Sequence, residues 1–158
     1  MYERILVPLD GSKIGEAALP YVEELVSKLV QAQKVEVTLL QVVSSLTHYV
    51  VAGEAAASVP YTEQEMEQIK KKAMDYLDKA GEGLRSKGAI VECKVGVGKA
   101  AEEIIKVADE INAGLVAMTT HGRSGLTRWA LGSVTDKVLR GGNKPLLMVR
   151  ALGEVGKT

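Results

Sequence analysis

An apolar strand pattern, a glycine-bearing loop and a helical pattern follow one another in Gly114-Leu-Val-Ala-Met-Thr-Thr-His-Gly-Arg-Ser-Gly-Leu-Thr-Arg-Trp-Ala-Leu-Gly-Ser-Val-Thr135. The continuous apolar run is typical of a strand covered on both faces of a parallel sheet. Gly122 and Gly132 bracket nine residues, and Ser133 begins the helical pattern. Because the first N–H groups of a helix have no partner within it, this loop is predicted to hold an anion such as a phosphate group.

The same alternation of strand and helix patterns runs along the whole chain. Strands are predicted at Ile5–Leu9, Val35–Val43, Ala89–Val95, Gly114–Met118 and Pro145–Val149, and helices at Ile14–Leu29, Thr62–Lys87, Lys99–Asn112 and Gly132–Arg140. This order predicts an α/β fold, a Rossmann-like open sheet of five parallel strands with helices on both faces. Residues 1–150 are expected to form one domain, and residues 151–158 a flexible tail.

Three local signals refine this prediction. Pro20 is expected to kink the first helix or to confine its regular part to the residues after it. Thr62 and Glu65 fit a capping box that begins the second helix. Residues 44–61 between them form a long, weakly patterned connection, which we expect to be either mobile or a lid.

Two turns that follow predicted strands carry residues suited to a ligand. These turns are Pro8-Leu-Asp-Gly-Ser12 and Thr119-Thr-His-Gly122. Ligands of open α/β sheets bind at the carboxyl ends of the strands, where the winding direction reverses. The two turns can form one site if the first and fourth strands are neighbours.

Composition narrows the classes of partner. Twenty basic and twenty acidic residues cancel among 158, so neither a nucleic-acid nor a membrane partner is predicted, and an anion site must be local. Cys93 is the single cysteine and is placed on a strand, as a packing thiol. The sequence opens without a charged leader followed by a long apolar stretch, which favours a cytoplasmic protein.

Several other motifs fit poorly. Gly96-Val-Gly-Lys-Ala-Ala101 resembles a dinucleotide fingerprint, but no acidic residue ends the next strand, and Ala100 stands where a P-loop needs Ser or Thr. A receiver domain needs clustered acidic residues after the first strand, where Pro8-Leu-Asp-Gly-Ser12 has a single acidic residue, Asp10. His48 and His121 lie too far apart to indicate a metal site, and no nucleophile elbow is present.

In the order and spacing of its motifs the chain resembles the universal stress protein family. The likeness rests on five stretches: Arg4-Ile-Leu-Val-Pro-Leu-Asp-Gly-Ser12, Leu39-Leu-Gln-Val-Val43, His121-Gly122, Gly132-Ser-Val-Thr135 and Lys144-Pro-Leu-Leu-Met-Val149. The resemblance implies a sheet in strand order 3-2-1-4-5 and a homodimer. In one branch of the family it also implies ATP bound through the pattern G-x-x-G-x9-G-[S/T], with Mg²⁺ or Mn²⁺ held through the phosphates.

Transferred by position, the resemblance assigns residues to this nucleotide site. Pro8, Leu9, Asp10 and Val42 belong to its adenosine end, Met118, Thr119, His121, Gly122 and Arg123 to the loop, and Gly132, Ser133, Val134 and Thr135 to the phosphates. Thr119 replaces the first glycine of the pattern. A β-branched residue resists positive φ, so Thr119 either crowds the nucleotide or lends it a hydroxyl group.

Two functions from different classes therefore stay open. The first is a regulatory or stress-response protein that binds ATP or a related adenine nucleotide, with slow hydrolysis at most, since no general base is identifiable. The second is a nucleotide-free interaction module that pairs through its last strand, Leu146, Leu147, Met148 and Val149, at an exposed sheet edge. An adenylating or electron-transfer relative of similar fold is a third alternative.

Overall fold

A five-stranded parallel sheet forms the centre of the molecule. The computed structural model describes residues 1–121 and 131–151, so most of the predicted tail, residues 152–158, lies outside the described residues. The strands are β1 (Arg4–Leu9), β2 (Glu36–Val43), β3 (Thr47–Ala52), β4 (Ala55–Pro60), β5 (Ile90–Val97), β6 (Leu115–Thr119) and β7 (Leu146–Val149). The main sheet has the order β5-β2-β1-β6-β7, and every pairing in it is parallel.

This order confirms the predicted fold. Counted within the main sheet alone, the strands stand as 3-2-1-4-5, because β3 and β4 form a separate two-stranded sheet. The first and fourth strands of the main sheet, β1 and β6, are neighbours, with Ile5 opposite Leu115. The two turns singled out in the sequence therefore lie side by side, at the carboxyl ends of these two strands.

Helices cover both faces of the main sheet. They are α1 (Leu19–Leu29), α2 (Glu63–Ala80), α3 (Glu82–Ser86), α4 (Ala100–Glu110) and α5 (Ser133–Gly141), with a 3-10 helix at Ile14–Ala18. Ile5 and Val7 of β1 pack in one apolar cluster with α1, α2 and α3, while Leu6 packs in a second cluster with α4 and α5. Alternate residues of a strand point to opposite faces, so the two clusters lie on opposite sides of the sheet. Within the described ranges, no helix is both long and apolar enough to cross a membrane.

The starts of α1 and α2 have identifiable causes in the sequence. Pro20 lies in the first turn of α1, where its missing N–H costs nothing, and the chain before it is the 3-10 helix. The capping box of α2 is confirmed: the Glu65 amide donates to Thr62 Oγ1 (3.2 Å), and the Thr62 amide donates to Glu65 Oε2 (2.7 Å).

The predicted end of α2 is wrong. The helix ends at Ala80, and α3 follows as a separate short helix. Gly81 separates them at a point where the chain approaches the sheet, since a Cβ there would lie 2.9 Å from Val91 Cγ1. The close approach of the backbone accounts for glycine at this position, and glycine weakens a helix interior.

The prediction of a loop without regular structure at residues 44–61 is also wrong. β3 and β4 pair as an antiparallel hairpin whose two-residue turn contains Gly53 at φ +66°. Tyr61 closes the base, where its amide donates to the Leu46 carbonyl (3.0 Å). All hairpin residues except the half-buried His48 are exposed, so no buried face imposed the alternation by which a strand is recognised.

Candidate functional site

A cleft of about 900 Å³ opens at the carboxyl ends of β1, β2 and β6. It brings together every predicted site residue that the structure describes: Pro8, Leu9, Asp10, Val42, Met118, Thr119, His121, Gly132, Ser133, Val134 and Thr135. Gly122 and Arg123 lie outside the described residues. Residues from both faces of the sheet line the cleft, because the strand order reverses between β1 and β6.

The turn after β1 holds Asp10 in the cleft wall. The Ser12 amide and Ser12 Oγ both donate to Asp10 Oδ1, at 2.9 and 2.6 Å, and the Gly15 amide donates to Ser12 Oγ (3.0 Å). Gly11 has φ +82°, and a Cβ on Gly15 would collide with the Asp10 carboxylate. The two glycines let the chain fold tightly around this carboxylate.

Helix α2 joins the same turn through Tyr76, a residue that the sequence motifs do not assign to the site. The Tyr76 hydroxyl donates to Glu16 Oε1 (3.0 Å), and burial together with the charges of Glu16 and Asp10 raises the pKa of Tyr76. The phenol therefore keeps its proton and its hydrogen bond. Tyr76, Ala73 and Ile69 fit one apolar stripe in the sequence, but nothing in that pattern says that the stripe reaches the cleft.

Thr119 connects three elements. It is buried at the end of β6, its hydroxyl donates to the Gly15 carbonyl (2.9 Å), and its own carbonyl accepts from Thr135 Oγ1 in α5 (3.1 Å). Among the described residues, Asn112 alone has positive φ without being glycine. Thr119 is therefore unstrained, and the proton of its hydroxyl is already committed to Gly15.

Helix α5 begins at the cleft without a side-chain cap from any described residue. Gly132 precedes it, and the Gly132 amide donates to the Thr120 carbonyl (2.8 Å). A Cβ on Gly132 would lie 2.8 Å from that carbonyl oxygen, so this position requires glycine. The first amides of α5, at Ser133 and Val134, are the kind of donors that bind anions at a helix start.

Two buried polar atoms of the cleft have no protein partner in the part of the chain that the structure describes. They are Gln41 Oε1 and His121 Nε2. The other ring nitrogen of His121, Nδ1, lies 2.8 Å from Thr120 Oγ1. Buried polar atoms usually have a partner, so these two atoms are suited to bind a ligand or ordered water.

Two other features weighed from the sequence were a metal site and the dinucleotide-like stretch Gly96–Ala101. Within residues 1–121 and 131–151, no group of three or more His, Cys, Asp or Glu side chains could hold a metal ion. In the Gly96–Ala101 stretch, Gly98 has φ +135° and its amide donates to the Val43 carbonyl (3.0 Å). Gly98 thus shapes the turn between β5 and α4.

Comparison with known proteins identifies the family. The model of the universal stress protein family matches residues 1–150. The chain belongs to this family. It is 31% identical to universal stress protein MJ0577 of Methanocaldococcus jannaschii, over 95% of this chain and 96% of the relative. It is also 31% identical to universal stress protein YxiE of Bacillus subtilis, over 95% of this chain and all of the relative.

Solved structures of universal stress proteins share the fold. The structure of MJ0577 superposes with a TM-score of 0.72 at 25% identity, covering 98% of this chain and 99% of that one. A universal stress protein in complex with cAMP gives 0.66 at 20% identity, covering 96% and 98%. One from Archaeoglobus fulgidus in complex with dAMP gives 0.60 at 19% identity, covering 93% and 97%.

Proposed function

We propose that this universal stress protein is a regulatory protein that binds ATP or a related adenine nucleotide in the cleft, with Mg²⁺ or Mn²⁺ held through the phosphates. One observation carries the proposal: the turn after β1, the end of β6 and the start of α5 converge on a single cleft of about 900 Å³. Two relatives of the same fold were solved with cAMP and with dAMP, which supports an adenine nucleotide as the ligand.

The cleft offers separate regions for the two ends of a nucleotide. Phosphates suit the first amides of α5 at Ser133 and Val134, and the adenosine suits the region of Pro8, Asp10 and Val42. A helix start contributes about 0.3–1 kcal/mol toward a charge beside it, whereas micromolar affinity needs about 8 kcal/mol. Burial of the base and sugar must therefore supply most of the binding free energy.

Calorimetric titration with ATP and Mg²⁺ tests the proposal. Wild-type protein is expected to bind, and Gly132→Val is expected to lose binding, because its side chain would meet the Thr120 carbonyl just before the start of α5. Thermal melting of the variant checks that it is folded. Wild-type protein that gives no heat with ATP, ADP or AMP at millimolar concentration would refute the proposal.

An interaction module without nucleotide is the second candidate, and a specific feature of the sheet supports it. β7 is an edge strand of the main sheet, and its apolar residues Leu146, Leu147 and Met148 are not fully buried. Edge strands expose unpaired backbone groups, and pairing with a second copy covers them. We propose a homodimer through β7 in either case, so dimerisation together with a lack of nucleotide binding would favour this second function.

A further inference from the structure

We propose that Lys72 on α2 is a phosphate-binding residue of the cleft and makes its affinity depend on the number of phosphates in the nucleotide. The proposal rests on the adenine-nucleotide function proposed above. It assigns a role to a helix that the phosphate pattern in the sequence does not include.

One side of α2 forms a wall of the cleft. Ile69, Lys72, Ala73 and Tyr76 all line it, and their spacing of three, four and seven residues places them on one side of a helix. The hydrogen bond from Tyr76 to Glu16 and the burial of Ala73 fix the rotation of the helix. Lys72 therefore belongs to the cleft wall, one turn from Tyr76.

The charge of Lys72 is available to a ligand. Among the described residues it is the one lysine or arginine that lines the cleft. No carboxylate of the described residues lies within 4.0 Å of its ammonium group. Glu16 already binds Lys13 (3.1 Å) as well as Tyr76. The Lys72 ammonium group is thus not neutralised by an ion pair with a carboxylate of the described residues, and it lines a cleft suited to a polyanion.

The two walls of the cleft come from opposite faces of the sheet. α2 packs in the cluster that contains Val7, whereas α5 packs in the cluster that contains Leu6. A phosphate held by the first amides of α5 therefore has α2 across the cleft from it. A lysine side chain is long and carries three donors, so it can reach phosphates from that wall without a fixed geometry.

Phosphate number is the variable that separates this role from a structural one. A contact between an ammonium group and a phosphate strengthens with the charge of the nucleotide, and adenosine carries no phosphate. Because Lys72 is exposed, its contribution is moderate, and we expect about three- to tenfold in ATP affinity. Binding of adenosine should not depend on it.

Titration calorimetry of the full-length protein with ATP, ADP, AMP and adenosine is the test. Lys72→Gln is expected to weaken ATP about three- to tenfold, ADP and AMP progressively less, and adenosine less than twofold. Lys72→Arg keeps the charge and should retain ATP affinity within about threefold. Lys71→Gln is the matched control, since Lys71 is exposed on the same helix and does not line the cleft.

Each result bears on the role of Lys72. Equal ATP affinities for Lys72→Gln, Lys71→Gln and wild type would overturn it, and so would a loss for adenosine as large as the loss for ATP. Wild-type protein that binds none of the four ligands would overturn the nucleotide function itself and this role with it. A wild type that binds, with no effect at Lys72, leaves that function standing.

Discussion

At the end of β6 a threonine stands where the nucleotide-binding pattern of one branch of the family has its first glycine, and its hydroxyl takes on a structural role. Thr119 donates to the Gly15 carbonyl and accepts at its own carbonyl from Thr135, which ties β6 to the 3-10 helix and to α5. A glycine cannot make the first of these bonds. The two expectations for Thr119, that it crowds the nucleotide or lends it a hydroxyl group, stay predictions; the hydroxyl proton itself is donated to the Gly15 carbonyl.

Thr119→Val removes the hydroxyl while keeping the shape of the side chain. The Gly15 carbonyl then loses a buried donor, so we expect the free energy of unfolding to fall by about 1–3 kcal/mol. Urea denaturation monitored by circular dichroism measures this change. Thr47→Val, at an exposed strand position, is the control and should stay within about 0.5 kcal/mol of wild type. Equal stability of the two variants would contradict the role of the hydroxyl.

At the scale of elements, the sequence predicted the strands that have a buried apolar face and missed the strands that have none. The strands of the main sheet and the cap of α2 follow from apolar runs and from side chains that bond to nearby amides. The hairpin β3–β4 was missed because its strands have no buried face. In the cleft, residues near recognisable turns were predicted, whereas Lys72 and Tyr76 were not, since only the packing of α2 brings them there.

The cap of α2 gives a prediction about pH. Hydrogen bonds from Thr62 hold the pKa of Glu65 below its ordinary value of 4.5, so the folded state favours the carboxylate. Its stabilisation is fully present above that ordinary value and is lost as the pH falls through the lowered folded-state pKa. Thr62→Ala should destabilise the protein by about 1 kcal/mol at neutral pH.

Glu65→Gln separates charge from geometry in this cap, because glutamine can make the same bond without titrating. We expect its stability to fall less steeply than that of wild type as the pH drops below the ordinary pKa of a glutamate. Urea unfolding at a series of pH values measures the slope. Glu67→Gln, on an exposed position of the same helix, should follow wild type. Identical slopes for Glu65→Gln and wild type would exclude a charged cap.

For the whole molecule, the sheet order leaves two different edges. β5 ends one side with eight residues, whereas β7 ends the other with four residues that are all apolar. A short apolar edge suits self-complementary pairing across a two-fold axis, in which each residue of one copy meets the same strand of the other. Charged side chains placed on such an edge oppose pairing, since each copy then brings a like charge to the contact.

Met148→Lys tests this pairing directly. Met148 is 40% exposed on β7, and Met74 is 39% exposed on α2, so Met74→Lys is a control of nearly equal exposure. In sedimentation velocity we expect wild type and Met74→Lys to have about twice the mass of the 16.9 kDa chain, and Met148→Lys to shift toward the monomer. A wild type that stays monomeric at tens of micromolar would exclude the dimer. A Met148→Lys protein that stays dimeric would show that the copies pair through another surface. Either result would also rule out β7 as the interaction surface on which the nucleotide-free function depends.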